Sequence, residues 1–187
     1  NMKHVVSNDR PFLRWAGGKS WLTDFVLNLT QNLEINRYYE PFLGGGAVFF
    51  ALKPQKATLS DANADLISTY ITLREKPEKV ISVLKTFQNE SECYYRVRSD
   101  IRNDDVYMCA RFIFLNQTSY NGLYRVNAMG QYNVPFGRRK TDFIKEERLR
   151  RASQLLQGVN LRCCDFSISE QGIQAGDLVF LDPPYTV

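Results

Sequence analysis

The residues best suited to chemistry form a short motif, Asp182-Pro183-Pro184-Tyr185, directly after the apolar run 178–181. Because proline cannot donate to a sheet ladder, a strand formed by that run must end at the motif. The motif brings together a carboxylate, the Pro183 carbonyl and an aromatic ring. Two acceptors can hold the hydrogens of an exocyclic amine while Tyr185 stacks on a flat base. A strand-ending turn without chemistry is the alternative.

A second candidate site is the glycine turn Gly44-Gly45-Gly46, between a predicted strand over 38–42 and a predicted helix over 47–52. Glycine allows the backbone to turn tightly and to approach a ligand closely. Asp61 ends the next predicted strand, a position typical of an acid that binds a ribose diol; the alternative role is the N-cap of the following helix. Motifs that cradle phosphates are absent from the sequence, which favours a nucleoside ligand such as S-adenosylmethionine.

Taken with two further blocks, these motifs resemble the Dam-type, D12-class DNA adenine methyltransferases, and the resemblance spans nearly the whole chain. The blocks occur in the order of that family. They are the N-terminal cofactor motif Arg14-Trp15-Ala16-Gly17-Gly18-Lys19, the main cofactor loop 40–46, a DNA-recognition hairpin with blocks at 121–127 and 133–138, and the catalytic motif 182–185.

The resemblance implies a cofactor site and a catalytic site that share Asp182. Asp61 would hold the ribose hydroxyls of S-adenosylmethionine, and Asp165 with Phe166 would flank its adenine. The catalytic residues would be Asp182, Pro183, Pro184 and Tyr185. The residues implied in cofactor binding are Trp15, Ala16, Gly17, Lys19, Phe42, Gly44, Asp61, Asp165, Phe166 and Asp182.

The resemblance also implies double-stranded DNA as the partner and base flipping as the mode of access. Arg125 would read a guanine in the major groove, a pairing that groove chemistry favours. The other implied DNA contacts are Tyr120 and Asn121 at the gap left by the flipped base, Leu123 and Pro135 against bases, Arg14, and the phosphate-binding Arg138, Arg139 and Lys140.

The implied activity is methyl transfer from S-adenosylmethionine to the exocyclic amine of adenine, with GATC as the target; S-adenosylhomocysteine is the product. Two alternatives remain open: a non-catalytic DNA-binding fragment, and a methyltransferase that acts on RNA or on a protein amide. Members of the family continue well past the catalytic motif, whereas this chain stops at Val187. We therefore expect an N-terminal portion whose sheet is incomplete at the C-terminus.

The elements that position these residues are predicted to form an α/β, Rossmann-like fold, because short apolar strands alternate with amphipathic helices. Strands are predicted over 38–42, 57–60, 161–164 and 178–181, and helices over 47–52, 64–73, 76–87 and 143–156. A helix with Leu22, Phe25, Val26 and Leu29 at helical spacing is predicted before them. The stretch near 94–140 interrupts the alternation. We therefore expect a cofactor-binding part over 1–75, a helical and hairpin DNA-recognition insertion over 76–145, and a return to the catalytic domain over 146–187.

Charge and composition support a polyanion partner and narrow the chemistry. The chain has a net charge of +4, and nine basic residues face only three acidic ones between Arg111 and Arg151. A single histidine argues against histidine-based zinc sites and catalytic triads. The four cysteines form no C-x-x-C pair, so we expect reduced thiols in a cytoplasmic protein and no metal. The resemblance to DNA methyltransferases implies association with the nucleoid. No apolar run is long enough to cross a bilayer.

Overall fold

A computed structural model of the chain describes residues 9–16, 20–140, 142–169 and 171–184. Its helices and strands follow one another in an alternation that confirms the expected α/β class. In chain order they are α1 (Ser20–Thr30), β1 (Tyr38–Glu40), α2 (Ala47–Leu52), β2 (Ala57–Asp61), α3 (Ala64–Glu75), α4 (Pro77–Leu84), α5 (Ser91–Ser99), α6 (Asp105–Thr118), a 3₁₀ turn (Tyr120–Gly122), α7 (Glu146–Leu155), β3 (Asn160–Cys163), α8 (Phe166–Ser169) and β4 (Leu178–Val179).

The four strands form one parallel sheet in the order β3-β2-β1-β4. Tyr38 pairs with Ala57 on one side and with Leu178 on the other. The chain therefore extends the sheet in one direction through β2 and β3 and then crosses back to add β4 beside β1. In open α/β sheets, such a reversal of strand order leaves a crevice outside the carboxyl ends of the strands, where ligands bind.

The hydrophobic core continues from the sheet into the helices that follow β2. Tyr38 and Leu59 of the sheet and Tyr70 of α3 are fully buried. Phe114 of α6 belongs to the same cluster and lies 5.0 Å, between ring centroids, from Phe87. This shared packing holds the helices that carry the hairpin rigidly against the sheet that carries the glycine turn.

The longest helix, α6, has no counterpart among the helices predicted from the sequence. Ten of its fourteen residues are buried, so it shows no polar face and no clear helical period. Asp104 caps it by accepting a hydrogen bond from the Tyr107 backbone N–H at 3.0 Å. Arg111 is buried within it and donates to the carbonyls of Val97 and Arg98 at the end of α5.

The expected hairpin follows α6 directly. The backbone N–H of Tyr120 donates to the Pro135 carbonyl at 2.9 Å, and that of Asn133 donates to the Arg125 carbonyl at 3.1 Å. The tip turns at Asn127, whose backbone N–H donates to the Gln131 carbonyl at 2.8 Å. These antiparallel contacts project a two-stranded ribbon from the end of α6.

Several predicted elements differ in detail from the structure. The helix predicted over 76–87 ends at Leu84, and the strands predicted over 38–42 and 178–181 end at Glu40 and Val179. The predicted helix over 143–156 begins only at Glu146, because Asp142 accepts a hydrogen bond from the Ile144 backbone N–H at 3.0 Å and holds a turn there. In α1, Leu22 and Val26 are half-buried, whereas Phe25 is 53% and Leu29 61% exposed. Within the described ranges, no helix combines the length and hydrophobicity that a membrane span requires.

Candidate active site and DNA interface

A large cavity lies at the carboxyl edge of the sheet and has a volume of about 1210 Å³. Every strand contributes its end to the wall: the turn after β1, Asp61 of β2, Cys164 and Asp165 after β3, and the motif after β4. Trp15 and Ala16 of the N-terminal motif close another side. The volume exceeds that of a typical single-ligand pocket, about 300–1,000 Å³, so the cavity has room for a nucleoside cofactor and a second group.

The glycine turn is shaped by close contact with its neighbours. Gly44 and Gly46 adopt left-handed φ values of 48° and 68°, which a side chain would strain. A Cβ atom added at Gly44 would lie 2.6 Å from Cδ1 of Trp15. The hydroxyl of the buried Tyr70 donates to the Gly44 carbonyl at 3.0 Å. These contacts hold Gly44 in one conformation, and Phe42 and Gly44 both line the cavity.

Asp61 is held as a preorganised acceptor in the cavity wall. Its Oδ2 accepts the backbone N–H of Gly44 at 3.1 Å, and its Oδ1 accepts that of Asn63 at 3.0 Å. Each oxygen keeps a second lone pair, so both remain able to accept from a ligand's hydroxyls. The N-cap of α3 is Asn63, which accepts from Leu66 N–H at 3.1 Å. The alternative role of Asp61 as that N-cap is therefore wrong.

The motif after β4 also lines the cavity. The Phe180 backbone N–H makes the last ladder bond, to the Tyr39 carbonyl at 2.9 Å, and the chain then leaves the sheet. Asp182 is half-buried, and Pro183 and Pro184 are exposed at the cavity margin. Three residues predicted for these sites, Gly17, Lys19 and Tyr185, lie outside the described residues.

Two aromatic rings form the wall between the ends of β1 and β3. The rings of Phe42 and Phe166 stack on each other, with centroids 5.4 Å apart and planes 21° apart. Asp165 precedes Phe166 and accepts hydrogen bonds from the backbone and hydroxyl of Ser167, which hold the pKa of Asp165 below its usual range. The predicted pair Asp165 and Phe166 thus lies in the cavity wall, where a flat ring can pack against the stacked phenyl groups.

Glu40, at the end of β1, is the first residue of the cofactor loop 40–46 and lines the cavity, but it was not among the residues predicted to bind the cofactor. It is 3% exposed and accepts the Tyr38 hydroxyl at 2.8 Å. Burial raises the pKa of Glu40 to about 8, against the opposing effect of its hydrogen bonds from Tyr38 and the Phe49 backbone, and the negative charge of Asp182 adds to the rise. An acid inside an otherwise apolar strand is the sequence feature that could have identified it.

The hairpin carries the predicted DNA-reading residues on its exposed surface. Arg125 donates from Nε to Oδ1 of Asn133 at 2.8 Å, which leaves its two terminal nitrogens available. Asn133 is a second residue that was not predicted from the sequence to have a role. The apolar side chains of Tyr120 and Leu123 are 54% and 36% exposed, and Pro135 is exposed on the opposite strand. Asn121 supports the bend after α6 with a left-handed φ of 54°.

The N-terminal motif joins the hairpin to the cavity. Asn116 of α6 binds Arg14 twice, accepting its backbone N–H at 2.7 Å and donating to its carbonyl at 2.6 Å. The Arg14 guanidinium reaches the Ser119 carbonyl at the base of the hairpin. Trp15 lies against Gly44 on one side and stacks on Tyr124 of the hairpin at 5.9 Å on the other.

The remaining predicted DNA contacts follow the hairpin and lie apart from the cavity wall. Arg138, Arg139 and Lys140 are exposed, and Arg138 has a left-handed φ of 55°.

All four cysteines are free, two of them buried. Over the ranges that the structure covers, no group of three or more His, Cys, Asp or Glu side chains converges as a metal site would require.

Comparison with known proteins gives consistent results over nearly the full sequence. The family model for D12 class N6 adenine-specific DNA methyltransferases matches residues 15–187. The chain is 41% identical over 199 residues to the Type II methyltransferase M.MjaIII of Methanocaldococcus jannaschii, covering 94% of this chain and 69% of that protein.

Further relatives carry related names. The chain is 38% identical over 189 residues to the Type II methyltransferase M1.LlaDCHI of Lactococcus lactis subsp. cremoris, covering 95% of this chain and 66% of that protein. A DNA adenine methylase of Haemophilus influenzae is 33% identical over 183 residues, with 94% of this chain and 64% of the relative covered. The chain thus spans about two thirds of the length of these relatives.

Proposed function

The chain belongs to the D12 class of N6 adenine-specific DNA methyltransferases, and on that premise we propose that the protein methylates the exocyclic amine of adenine in duplex DNA, at GATC, with S-adenosylmethionine as the donor. One observation carries the proposal: Asp61, the Gly44 turn and Asp182, which lie far apart in sequence, line one cavity beside an exposed hairpin. The family supports adenine in DNA as the acceptor, and the cavity supports the donor.

The cavity residues fit S-adenosylmethionine by their chemistry. Asp61 offers two oriented oxygens to a ribose diol, and the left-handed turn at Gly44 lets a ligand approach the backbone. Phe42 and Phe166 offer an aromatic face to an adenine ring. Cavity lining by Trp15 and Ala16 supports a cofactor role for the N-terminal motif, to which Gly17 and Lys19 are assigned by family resemblance.

When bound, S-adenosylmethionine supplies an electrophilic methyl group on a positively charged sulfur. Asp182 and the Pro183 carbonyl accept the two hydrogens of the adenine amine, which frees the nitrogen lone pair from conjugation with the ring. Positive charge that develops on this nitrogen is stabilised by Asp182, so the interaction strengthens in the transition state and raises the rate. As the nitrogen–carbon bond forms, the donor's carbon–sulfur bond breaks and S-adenosylhomocysteine is left; the nitrogen then releases its extra proton to water. Pro184 keeps the motif rigid, and Tyr185 stacks on the flipped base.

Specificity for GATC is assigned to the hairpin. Arg125, with Nε held by Asn133, presents its terminal nitrogens to O6 and N7 of a guanine. Leu123 and Pro135 contact bases, including the methyl group of thymine, and Tyr120 with Asn121 occupies the gap left by the flipped adenine. Arg14 contacts the DNA, while Arg138, Arg139 and Lys140 bind its phosphates. The hairpin belongs to a DNA-recognition unit over 76–145, inserted between cofactor-binding and catalytic parts over 1–75 and 146–187.

Two measurements test the proposal separately. Calorimetric titration with S-adenosylmethionine should give 1:1 binding, and Asp61→Ala should weaken it by about 1–3 kcal/mol, the typical scale of hydrogen bonds to a charged group. Asp104→Ala, which removes the N-cap of α6 outside the cavity wall, is the control for a purely structural effect. Methyl transfer to a GATC duplex should exceed transfer to a duplex with one base pair changed. Unchanged affinity in the Asp61 variant, or equal methylation of both duplexes, would contradict the respective assignment.

A further inference from the structure

The basic residues on and around α7 fall into two groups that differ in their partners. Arg150 pairs with Glu78 at 2.7 Å, with Glu146 at 3.0 Å and with Glu147. Arg151 pairs with Asp9. Intramolecular acids neutralise this first group, so the high positive charge of the 111–151 segment is not all available to a partner.

The second group has no such partners. Among the residues that the structure describes, no salt bridge or side-chain hydrogen bond neutralises Arg10, Lys145 or Arg148. Lys145 and Arg148 lie one helical turn apart at the start of α7. The Nε of Arg148 is buried and has no hydrogen-bond partner. A buried donor without a partner is unfavourable, especially in a charged group, and a bound acceptor would remove this penalty.

Hydrogen bonds position these cations and the neighbouring Arg139. Asp9 accepts from Arg151 and from Lys53, at 2.8 Å for the latter, and thereby fixes the adjacent Arg10 beside α7. The loop after the hairpin is held by Asn89, which donates to the Arg139 carbonyl at 2.6 Å. Arg10 of the N-terminal segment therefore lies beside Lys145 and Arg148 at the start of α7, and Arg139 is a neighbouring charge on the loop after the hairpin.

Their charges act on one another at short range. Burial lowers the pKa of Lys145, and Arg148, Arg139 and Arg10 lower it further, with Asp142 as the opposing acid. Burial and then Arg10 lower the pKa of Arg148. Like charges held together in a partly buried setting are unfavourable until an anion joins them. The arrangement is therefore suited to a multivalent anion.

We propose that Arg10, Lys145 and Arg148 together bind backbone phosphates of duplex DNA. We call these three residues the α7 phosphate cradle. The role of the cradle rests on the proposed function, because the cradle lies next to the hairpin that is proposed to read DNA. Gly137 closes the base of that hairpin by donating to the Thr118 carbonyl, and Arg139, which neighbours the cradle, follows two residues later. A DNA duplex read by the hairpin continues past its base, where phosphate groups meet the cradle. Phosphate contacts of this kind fix register on the duplex and do not depend on sequence.

The test is the salt dependence of duplex binding, measured by fluorescence anisotropy with S-adenosylhomocysteine present. The triple variant Arg10→Gln, Lys145→Gln and Arg148→Gln should reduce the slope of log K against log salt by about 2–3, roughly one for each phosphate that the variant no longer binds. At about 0.1 M salt it should weaken binding at least about tenfold. A GATC duplex and an unrelated duplex should lose affinity equally.

The matched control removes the same charge elsewhere. Lys56, Lys76 and Lys79 are exposed and lie toward the amino edge of the sheet, because the helix after β2 runs back from the cavity. Their triple substitution to Gln should leave the slope within about 0.5 of wild type. An unchanged slope in the cradle variant, or a slope reduced equally in both variants, would overturn the cradle. Wild-type protein that binds no duplex would overturn the proposed function and the cradle with it.

Two further measurements separate a phosphate cradle from other roles. Arg148→Gln should leave the melting temperature unchanged or raise it, because it removes an unpaired, partly buried charge; a clear fall would indicate a structural role and overturn the proposal. Inorganic phosphate should displace the duplex no more than sodium chloride does at equal ionic strength. Stronger displacement by phosphate would identify a site for a free phosphate group instead of the DNA backbone.

Discussion

At the scale of single residues, one hydrogen bond orients Arg125 for the base recognition that we propose. Asn133 holds Nε at 2.8 Å and so orients the guanidinium plane without using its terminal nitrogens. The arginine was predicted from family resemblance, whereas Asn133 was not. Its role depends on strand pairing across the hairpin, in which the Asn133 backbone N–H also donates to the Arg125 carbonyl. Such register is not visible in the spacing of residues alone.

We expect Arg125→Ala to reduce discrimination at one guanine by about 1–3 kcal/mol. Asn133→Ala should produce a smaller reduction at the same base pair, since the guanidinium remains but is less well oriented. Arg139→Ala is the control, because removing a phosphate-binding charge should weaken binding to all sequences and flatten its salt dependence. Affinities for duplexes substituted at each target position provide the measurement. Uniform weakening in all three variants would contradict the hairpin assignment.

The raised pKa of Glu40 predicts how the stability of the protein depends on pH. Its pKa is about 8 in the folded protein, because of burial, against 4.5 ordinarily. The folded state therefore binds a proton more tightly than the unfolded state between these values, and the stability contributed by this group is lost as pH rises from about 4.5 through 8. Glu40→Gln keeps an acceptor for the Tyr38 hydroxyl but cannot ionise.

We expect the difference in melting temperature between Glu40→Gln and wild type to grow in favour of the variant by at least about 4 °C from pH 5 to pH 9. In a chain of this size, a stability difference of about 1 kcal/mol shifts the melting temperature by roughly 2–4 °C. Thermal unfolding followed by circular dichroism across that range is the measurement, with exposed Glu34→Gln as the control. A difference in melting temperature that stays constant with pH would show that Glu40 ionises normally.

At the scale of elements, pattern and structure agree best where turn residues mark the ends of an element. The helix predicted over 47–52 has the same bounds in the structure, α2 (Ala47–Leu52), between a glycine turn and a loop. Helix α6 was not recognised as a helix because it is buried on nearly all sides and carries little periodicity. The start of α7 was predicted too early, because Phe143 and Ile144 pack on the core without being helical.

The hairpin depends on an approach that only glycine permits. A Cβ atom at Gly137 would lie 2.5 Å from the Ser119 carbonyl oxygen, which belongs to the backbone and cannot swing away. Gly137→Ala should therefore open the base of the hairpin. We expect discrimination between target and non-target duplexes to disappear while binding of S-adenosylmethionine persists.

Gly130→Ala at the hairpin tip is the control for that prediction. Its φ is +75°, but no atom lies within 4 Å of the added Cβ, so its cost should stay near the roughly 1–2 kcal/mol of a left-handed residue. Paired measurements of duplex discrimination and of cofactor affinity separate the two variants. Normal discrimination by Gly137→Ala would show that the hairpin does not need this close approach.

At the scale of the whole molecule, the parallel strands bring residues as far apart in sequence as Glu40 and Asp182 to one edge of the sheet. The order β3-β2-β1-β4 places the glycine turn and the motif after β4 side by side, although more than a hundred residues separate them. The alternation of strands and helices predicted this edge as the site. The summed charge of the 111–151 segment predicted a polyanion partner, but ion pairing at Arg150 and Arg151 and burial of Arg111 determine which cations are available.

Single-turnover transfer of a labelled methyl group from S-adenosylmethionine to a GATC duplex tests whether Asp182 promotes methyl transfer to adenine in duplex DNA. Nucleosides from the digested product are identified by mass spectrometry, and circular dichroism verifies folding of each variant. We predict N6-methyladenine at the GATC adenine with wild-type protein, and a rate at least about a hundredfold lower with Asp182→Ala. Methyl label on another base, or Asp182→Ala turnover within about tenfold of wild type, a difference of about 1.4 kcal/mol, would contradict the account.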